Sequence, residues 1–216
     1  MPHYTQIFAR TNRPTQVLAA LKGLDVYVFP HSPAGVVICE KTSEALDVRI
    51  SIQVSKSISW NLGEGIAVLA IAGNDDISFW FGLFDGGKAR FEHNRLTGPC
   101  GFAEKPARPV DIDVLCTYFG ASASREEIYR LLTGPRSMRP VDLHAGLAHS
   151  LGLPSWSPGV GYSRITAGTV PPEAATPERP PRSLRELRPA VELSNDSGRS
   201  DSLARFRRAC EDCWDR

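Results

Sequence analysis

The sequence predicts an α+β protein in which a mainly antiparallel sheet, formed by the N-terminal half, is flanked by helices. Two observations carry this prediction. β-Branched and aromatic runs dominate the first hundred residues, and segments with helical spacing of apolar residues follow residue 110. We therefore expect one α+β domain over 1–170, strand-rich over 1–98 and with a helical subdomain over 110–153.

The composition and charge of the chain limit the classes of function. Of its 216 residues, 25 are basic and 24 acidic, which gives a net charge of +1. This small net charge argues against binding to nucleic acid or to a membrane through bulk charge. The longest apolar run, 66–72, is too short to cross a bilayer, and the N-terminus lacks a secretory pattern. The five cysteines, an odd number, do not suggest a disulfide framework, so we expect a cytoplasmic protein.

The first half of the chain consists of short apolar runs separated by turn residues. Runs expected to form strands lie at 4–9, 25–30, 35–40, 65–73, 77–85 and 88–94. The segments 25–30 and 35–40 should form a hairpin, and the last three strands a meander, because Asp85-Gly86 is a strong turn signal between apolar runs. Helical spacing at 14–24, with Pro14 in the first turn, predicts a helix there.

The segment 43–62 carries two conflicting patterns. Apolar residues alternate with polar ones between 46 and 54, as in a strand, but they also recur at every fourth residue from 46 to 62. Twenty residues without glycine or proline are long for a strand. We favour a helix.

Three short helices are expected after residue 110, at 111–120, 124–132 and 140–153. Ser124 followed by Glu127 has the pattern of a capping box at the start of the second helix. The segment 154–166 is expected to be a loop, alone or with an edge strand.

The composition changes near residue 170. Prolines and arginines dominate 171–200, which we predict to be a disordered linker because it holds too little apolar mass to offset the entropy of ordering. The end of the chain, 201–216, is predicted to form a short docking helix with Phe206 and Trp214 as anchors. Its docking surface is either the chain's own domain or a partner.

No local motif points to catalysis or to a metal. Cys210 and Cys213 have the spacing of a zinc half-site or a redox pair, but no second pair accompanies them. His144 and His149 are five residues apart, and their side chains diverge on a helix. Cys100 lies in a Gly/Pro-rich segment that suits a nucleophile, although a buried inert thiol is the favoured interpretation. We predict no cofactor and no metal site.

The aromatic run of 77–85 has two interpretations. Alternation places Trp80 and Phe84 on one face of the strand, with Gly82 between them. They form part of a core covered on both sides, or an exposed platform for a partner. Trp156 and Tyr162, in a Gly/Pro-rich loop, allow the same two interpretations.

The stretches VLAIAGNDDISFWFGLFDGGKARFEHN and LGLPSWSPGVGY, within about 65–165, carry a resemblance. This part of the chain resembles a group of small, functionally uncharacterised bacterial proteins, and the resemblance supplies no catalytic residue. The order helix, hairpin, helix, three-strand meander, helix is similar to roadblock and longin modules, which serve in dimerisation and scaffolding. That similarity is an analogy of fold alone.

These features together predict a non-enzymatic binding or regulatory protein that associates with an unidentified protein partner. Its candidate binding residues are Trp80, Phe84, Trp156, Tyr162, Phe206 and Trp214. Homo-oligomerisation through an edge of the meander is a secondary hypothesis. The alternatives are a hydrolase or transferase whose site is dispersed across the fold, and a toxin-neutralising or defence-related protein.

Overall fold

A computed structural model describes residues 3–11, 13–31, 35–44, 48–74, 78–95, 109–120, 124–135, 137–169 and 177. The chain divides into two compact units, and every described residue lies in the first, Met1–Pro181. Apart from Pro177, the predicted linker 171–200 and the predicted docking helix 201–216, with Phe206 and Trp214, lie outside the described residues.

The described residues form six strands and six α-helices. The strands are β1 His3–Ala9, β2 Val26–His31, β3 Gly35–Glu40, β4 Val68–Asn74, β5 Phe79–Asp85 and β6 Lys88–Asn94. The helices are α1 Pro14–Ala20, α2 Val48–Leu62, α3 Pro109–Phe119, α4 Arg125–Thr133, α5 Pro140–Leu151 and α6 Tyr162–Thr166, with a 3-10 turn at Thr42–Glu44. The predicted α+β class is confirmed, with the sheet in the N-terminal half.

The six strands make one antiparallel sheet in the order β2-β3-β1-β4-β5-β6. β1 lies in the middle, with Ile7 opposite Ile38 of β3 on one side and opposite Ala70 of β4 on the other. It therefore joins the β2-β3 hairpin to the β4-β5-β6 meander. Both of these predicted units are confirmed.

Helices cover both faces of the sheet, because alternate residues of each strand point to opposite sides. Helices α1 and α2 pack on one face, over a core that includes Ile7, Ile38, Val68, Trp80 and Phe84. Helices α3 to α6 pack on the other face, over a core that includes Phe8, Phe29, Leu69, Phe81 and Phe91. The described part of the first unit thus has three layers, and the aromatic strand β5 is buried on both sides.

The ambiguous segment 43–62 is helical from Val48 to Leu62, as favoured, but its buried face differs from the expected one. The fully buried residues of α2 are Val48, Ser51, Ser55, Ile58 and Ser59. A repeat of four residues advances by about 400° and drifts around the helix, whereas alternating steps of three and four keep to one side. The small serine side chains bring the helix close to its neighbours, since Ser51 Oγ donates a hydrogen bond to the carbonyl of Ser43 at 3.1 Å.

The three predicted helices after residue 110 are confirmed as α3, α4 and α5. At the start of α4, Ser124 Oγ accepts a hydrogen bond from the backbone N–H of Glu127 at 3.3 Å, which is the expected cap. The expected loop is confirmed over 154–161, where the chain forms turns, but the short helix α6 follows it and the alternative of an edge strand is wrong.

Candidate functional site

The predicted binding residues Trp80 and Phe84 are fully buried under α1 and α2. Their ring centroids are 6.2 Å apart, and Trp80 Nε1 donates a hydrogen bond to Glu92 Oε1 at 3.2 Å. A Cβ atom on Gly82 would lie 2.6 Å from the Trp80 ring, so the glycine lets the two rings close over the strand. Of the two interpretations, the structure therefore places this pair in the core.

Trp156 and Tyr162 lie on the opposite face, where they fasten the segment after α5 to the edge strand β2. The Trp156 ring is 5.1 Å from that of Phe29, between centroids, and Tyr162 is 5.0 Å from Tyr27. The Tyr162 hydroxyl donates a hydrogen bond to Asp25 Oδ1 at 2.7 Å. Trp156 is half-buried and Tyr162 is buried, so their contacts are internal.

Polar side chains of β1 and of the 3-10 turn also hold the segment after α5 in place. Gln6 Nε2 donates hydrogen bonds to the carbonyl of Ser157 at 2.9 Å and to that of Val160 at 3.4 Å. Glu44 Oε2 accepts a hydrogen bond from the backbone N–H of Ser163 at 2.9 Å, in the first turn of α6. A Cβ atom on Gly161 would overlap Glu44 Oε1, so only glycine admits this carboxylate. Burial raises the pKa of Glu44, although its hydrogen bonds oppose that shift.

A histidine lies beside this cluster. The His144 ring stacks on Tyr4, with centroids 5.5 Å apart and planes inclined by 18°. Neither ring nitrogen of His144 has a hydrogen-bond partner among the described residues. Burial lowers the pKa of His144 to about 3, so its imidazole is neutral near pH 7. His149, by contrast, is exposed, and the two histidines do not converge.

A second polar cluster is centred on the carboxylate of Asp85, at the end of β5. Asp85 Oδ1 accepts a hydrogen bond from the backbone N–H of Gly65 at 2.8 Å, and its Oδ2 accepts one from the Tyr118 hydroxyl at 2.5 Å. Arg90 lies 3.5 Å from the same carboxylate. Burial alone raises the pKa of Asp85, but the hydrogen bonds from Tyr118 and Gly65 and the charge of Arg90 together lower it. The cluster ties α3 and the start of β4 to the β5-β6 turn.

The surroundings of the described thiols, Cys39 and Cys116, disfavour the reactive thiolate form. Burial, and then the charge of Glu44, raises the pKa of Cys39, while burial and the charge of Asp113 raise that of Cys116. A reactive cysteine needs the opposite shift. Within the part of the chain that the structure describes, no group of three or more metal-ligating side chains occurs. Cys100, Cys210 and Cys213 lie outside the described residues.

Large hydrophobic side chains differ in how far they face solvent in the described part of the chain. Trp60, near the end of α2, is 71% exposed, against 40% for Tyr129 and 38% for Leu24, the other large exposed hydrophobic residues described.

The backbone beneath Trp60 is held in place by the β5-β6 turn. The backbone N–H of Gly87 donates a hydrogen bond to Ser59 Oγ at 3.1 Å, and a Cβ atom on Gly87 would lie 3.2 Å from Trp60 Cβ. Two exposed lysines adjoin this contact, Lys56 one helical turn before Trp60 and Lys88 next to Gly87. We call Lys56, Trp60, Gly87 and Lys88 the Trp60 surface.

Sequence analysis missed Trp60, although a signal was present. Trp60 is two residues from Ile58, which places its side chain about 200° around a helix from that apolar position. A helix through this segment therefore puts Trp60 on the solvent side. Because the same segment also fits the alternation of a strand, this position was not singled out from the sequence.

Comparison with protein-family models, with curated proteins and with solved structures finds no match for this chain. The resemblance to the bacterial group and the analogy to roadblock and longin modules therefore stay predictions. Among the described residues, no helix has the length and apolar character needed to span a membrane.

Proposed function

We propose that this protein acts by binding another protein and that the Trp60 surface is the contact. The observation that carries the proposal is the 71% exposure of Trp60. Tryptophan is among the residues that contribute most to protein interfaces when a partner buries them. An indole left in water costs free energy that such a partner would recover.

The support beneath the indole strengthens this proposal. Gly87 packs against Trp60 Cβ, and Ser59 Oγ accepts the Gly87 N–H, so the helix end and the turn hold each other. An anchor on a fixed backbone loses less conformational entropy on binding than one on a loose loop. Trp60 is therefore pre-organised for association.

The interior favours binding over catalysis by thiol or imidazole. His144 is fully buried, and the pKa values of Cys39 and Cys116 are raised. Asp85 and Glu44 accept hydrogen bonds that join parts of the fold. These perturbed groups serve the packing of the described chain, which supports a function carried by its surface.

The test compares Trp60→Ala with Tyr129→Ala in the full chain. Tyr129 is an exposed aromatic residue on α4, which packs on the opposite face of the sheet. Each tagged variant is used to capture proteins from native lysate, and recovered proteins are quantified against the bait. We expect wild type and Tyr129→Ala to recover one protein near stoichiometry, and Trp60→Ala to lose at least about tenfold of it.

Thermal unfolding provides the control for folding. Because Trp60 is largely exposed, its replacement should shift Tm by no more than about 2 °C. Equal recovery by Trp60→Ala and wild type, with unchanged Tm, would refute the proposed contact.

A further inference from the structure

We infer that the partner of the Trp60 surface is an acidic protein, whose carboxylates surround an apolar recess that receives the indole. This inference rests on the proposed binding function and adds the chemistry of the partner. It follows from the charges around Trp60, from the like charges that a twofold contact between two copies would bring together, and from the small net charge of the whole chain.

Two exposed lysines adjoin Trp60. Lys56 lies one helical turn before it on α2, which contains no acidic residue. Lys88 follows Gly87, which packs against Trp60, in the β5-β6 turn. An acid, Glu64, lies against the same turn, since its Cγ would be 2.9 Å from a Cβ atom on Gly86. A positive rim around an aromatic anchor is complementary to an acidic surface.

A second copy of the chain fits this surface poorly. In a twofold contact the same patch of both copies meets itself. A twofold contact centred on Trp60 would bring the patch that carries Lys56 and Lys88 against an identical basic patch, and like charges in an interface are destabilising.

Nucleic acid is also a weaker match. Sequence-independent binding to nucleic acid depends on several phosphate contacts along a basic track. The net charge of the chain is +1, and Glu64 lies against Gly86, beside Gly87 of the Trp60 surface. A small basic rim around a single tryptophan suits a compact carboxylate-bearing site better than a phosphate backbone.

The first step of the test identifies what lies against position 60. The probe is the full chain with a photo-crosslinking phenylalanine analogue in place of Ser57, an exposed residue one helical turn before Trp60, so that Trp60 is retained. The chain with this analogue at Tyr129 is the matched control, and both are irradiated in native lysate. The adduct specific to position 57 is identified by mass spectrometry, and the captured molecule is then purified.

The second step measures the dissociation constant of the purified pair. We expect Lys56→Glu and Lys88→Glu each to weaken binding by about three- to tenfold, and Arg130→Glu, on α4, to leave it within about twofold. Raising the salt concentration from about 50 mM to about 500 mM should weaken wild-type binding by about tenfold. Replacing carboxylates of the partner by lysines should restore binding to Lys56→Glu.

The outcomes separate the two proposals. A protein whose binding depends on Trp60 but responds neither to the lysine variants nor to salt would keep the binding function and overturn the acidic partner. An adduct with a second copy of the chain or with nucleic acid would overturn the inference as well. The absence of an adduct specific to position 57 would overturn both proposals.

Discussion

The burial of His144 predicts a loss of stability in mild acid. Burial lowers the pKa of its imidazole to about 3 in the folded protein, whereas an unfolded chain holds a histidine near its ordinary value of about 6.5. Between these two values the unfolded chain binds a proton that the folded protein does not bind. The free energy of unfolding therefore decreases as the pH falls through this window.

The size of the effect follows from the separation of the two pKa values. Linkage gives a slope that approaches about 1.4 kcal/mol per pH unit below the unfolded pKa. Between about pH 8 and about pH 5, His144 should remove about 2 kcal/mol of stability, equivalent to about 4–8 °C in Tm for a chain of this size.

The carboxylates of Asp85 and Glu44 also make stability depend on pH in acid, and their contributions have opposite signs. The pKa of Asp85 is lowered, so its stabilising contribution is present above its unfolded pKa and is lost as pH falls through its folded value. The pKa of Glu44 is raised, so its protonation in acid favours the folded state instead. Because variants of His144 retain both carboxylates, a comparison within the series isolates the imidazole.

The assay is urea unfolding of wild type, His144→Leu, His144→Gln and His149→Gln at about pH 8 and about pH 5. In both His144 variants the loss of stability between these conditions should be smaller than in wild type by about 2 kcal/mol. His149 is exposed on the same helix, so His149→Gln should behave like wild type. An unchanged pH dependence in both His144 variants would show that this imidazole titrates normally, and the buried stack on Tyr4 would be refuted.

Two further predictions concern the core and the tail. Trp80→Ala should lower Tm by about 10 °C or more, because truncation of a fully buried aromatic costs about 3–5 kcal/mol, and calorimetry against Trp60→Ala checks this contrast. Removal of 171–216 should leave Tm nearly unchanged, since burial by a helix of about 14 residues roughly balances its ordering entropy. A decrease of more than about 8 °C in that truncation, with none on truncation after Pro181, would move the domain boundary.

The strands could be predicted because their signals are local. Apolar runs bounded by turn residues located β1 to β6, and Asp85-Gly86 marked the β5-β6 turn. The central position of β1 depends on its pairing with both β3 and β4, which are distant in the chain. No local pattern encodes that choice.

The helix α6 shows why 154–166 was misjudged. Its first turn is satisfied by Glu44, whose Oε2 accepts the N–H of Ser163 from 119 residues away in the chain. Gly161 is required because a side chain there would overlap that carboxylate. The sequence shows the glycine but not the group that approaches it, so a local pattern could not predict this helix.

The burial of Trp80 and Phe84 could not be predicted, for a different physical reason. Residue type alone marked Trp80 and Phe84, but an aromatic side chain serves a core and an interface equally well, and only the covering layer decides between them. Helices α1 and α2 cover Trp80 and leave Trp60 outside, although both residues are tryptophans within one third of the chain. Trp60 is exposed on a backbone that Ser59 and Gly87 hold in place, which is why we propose this indole, rather than the buried aromatic strand, as the contact.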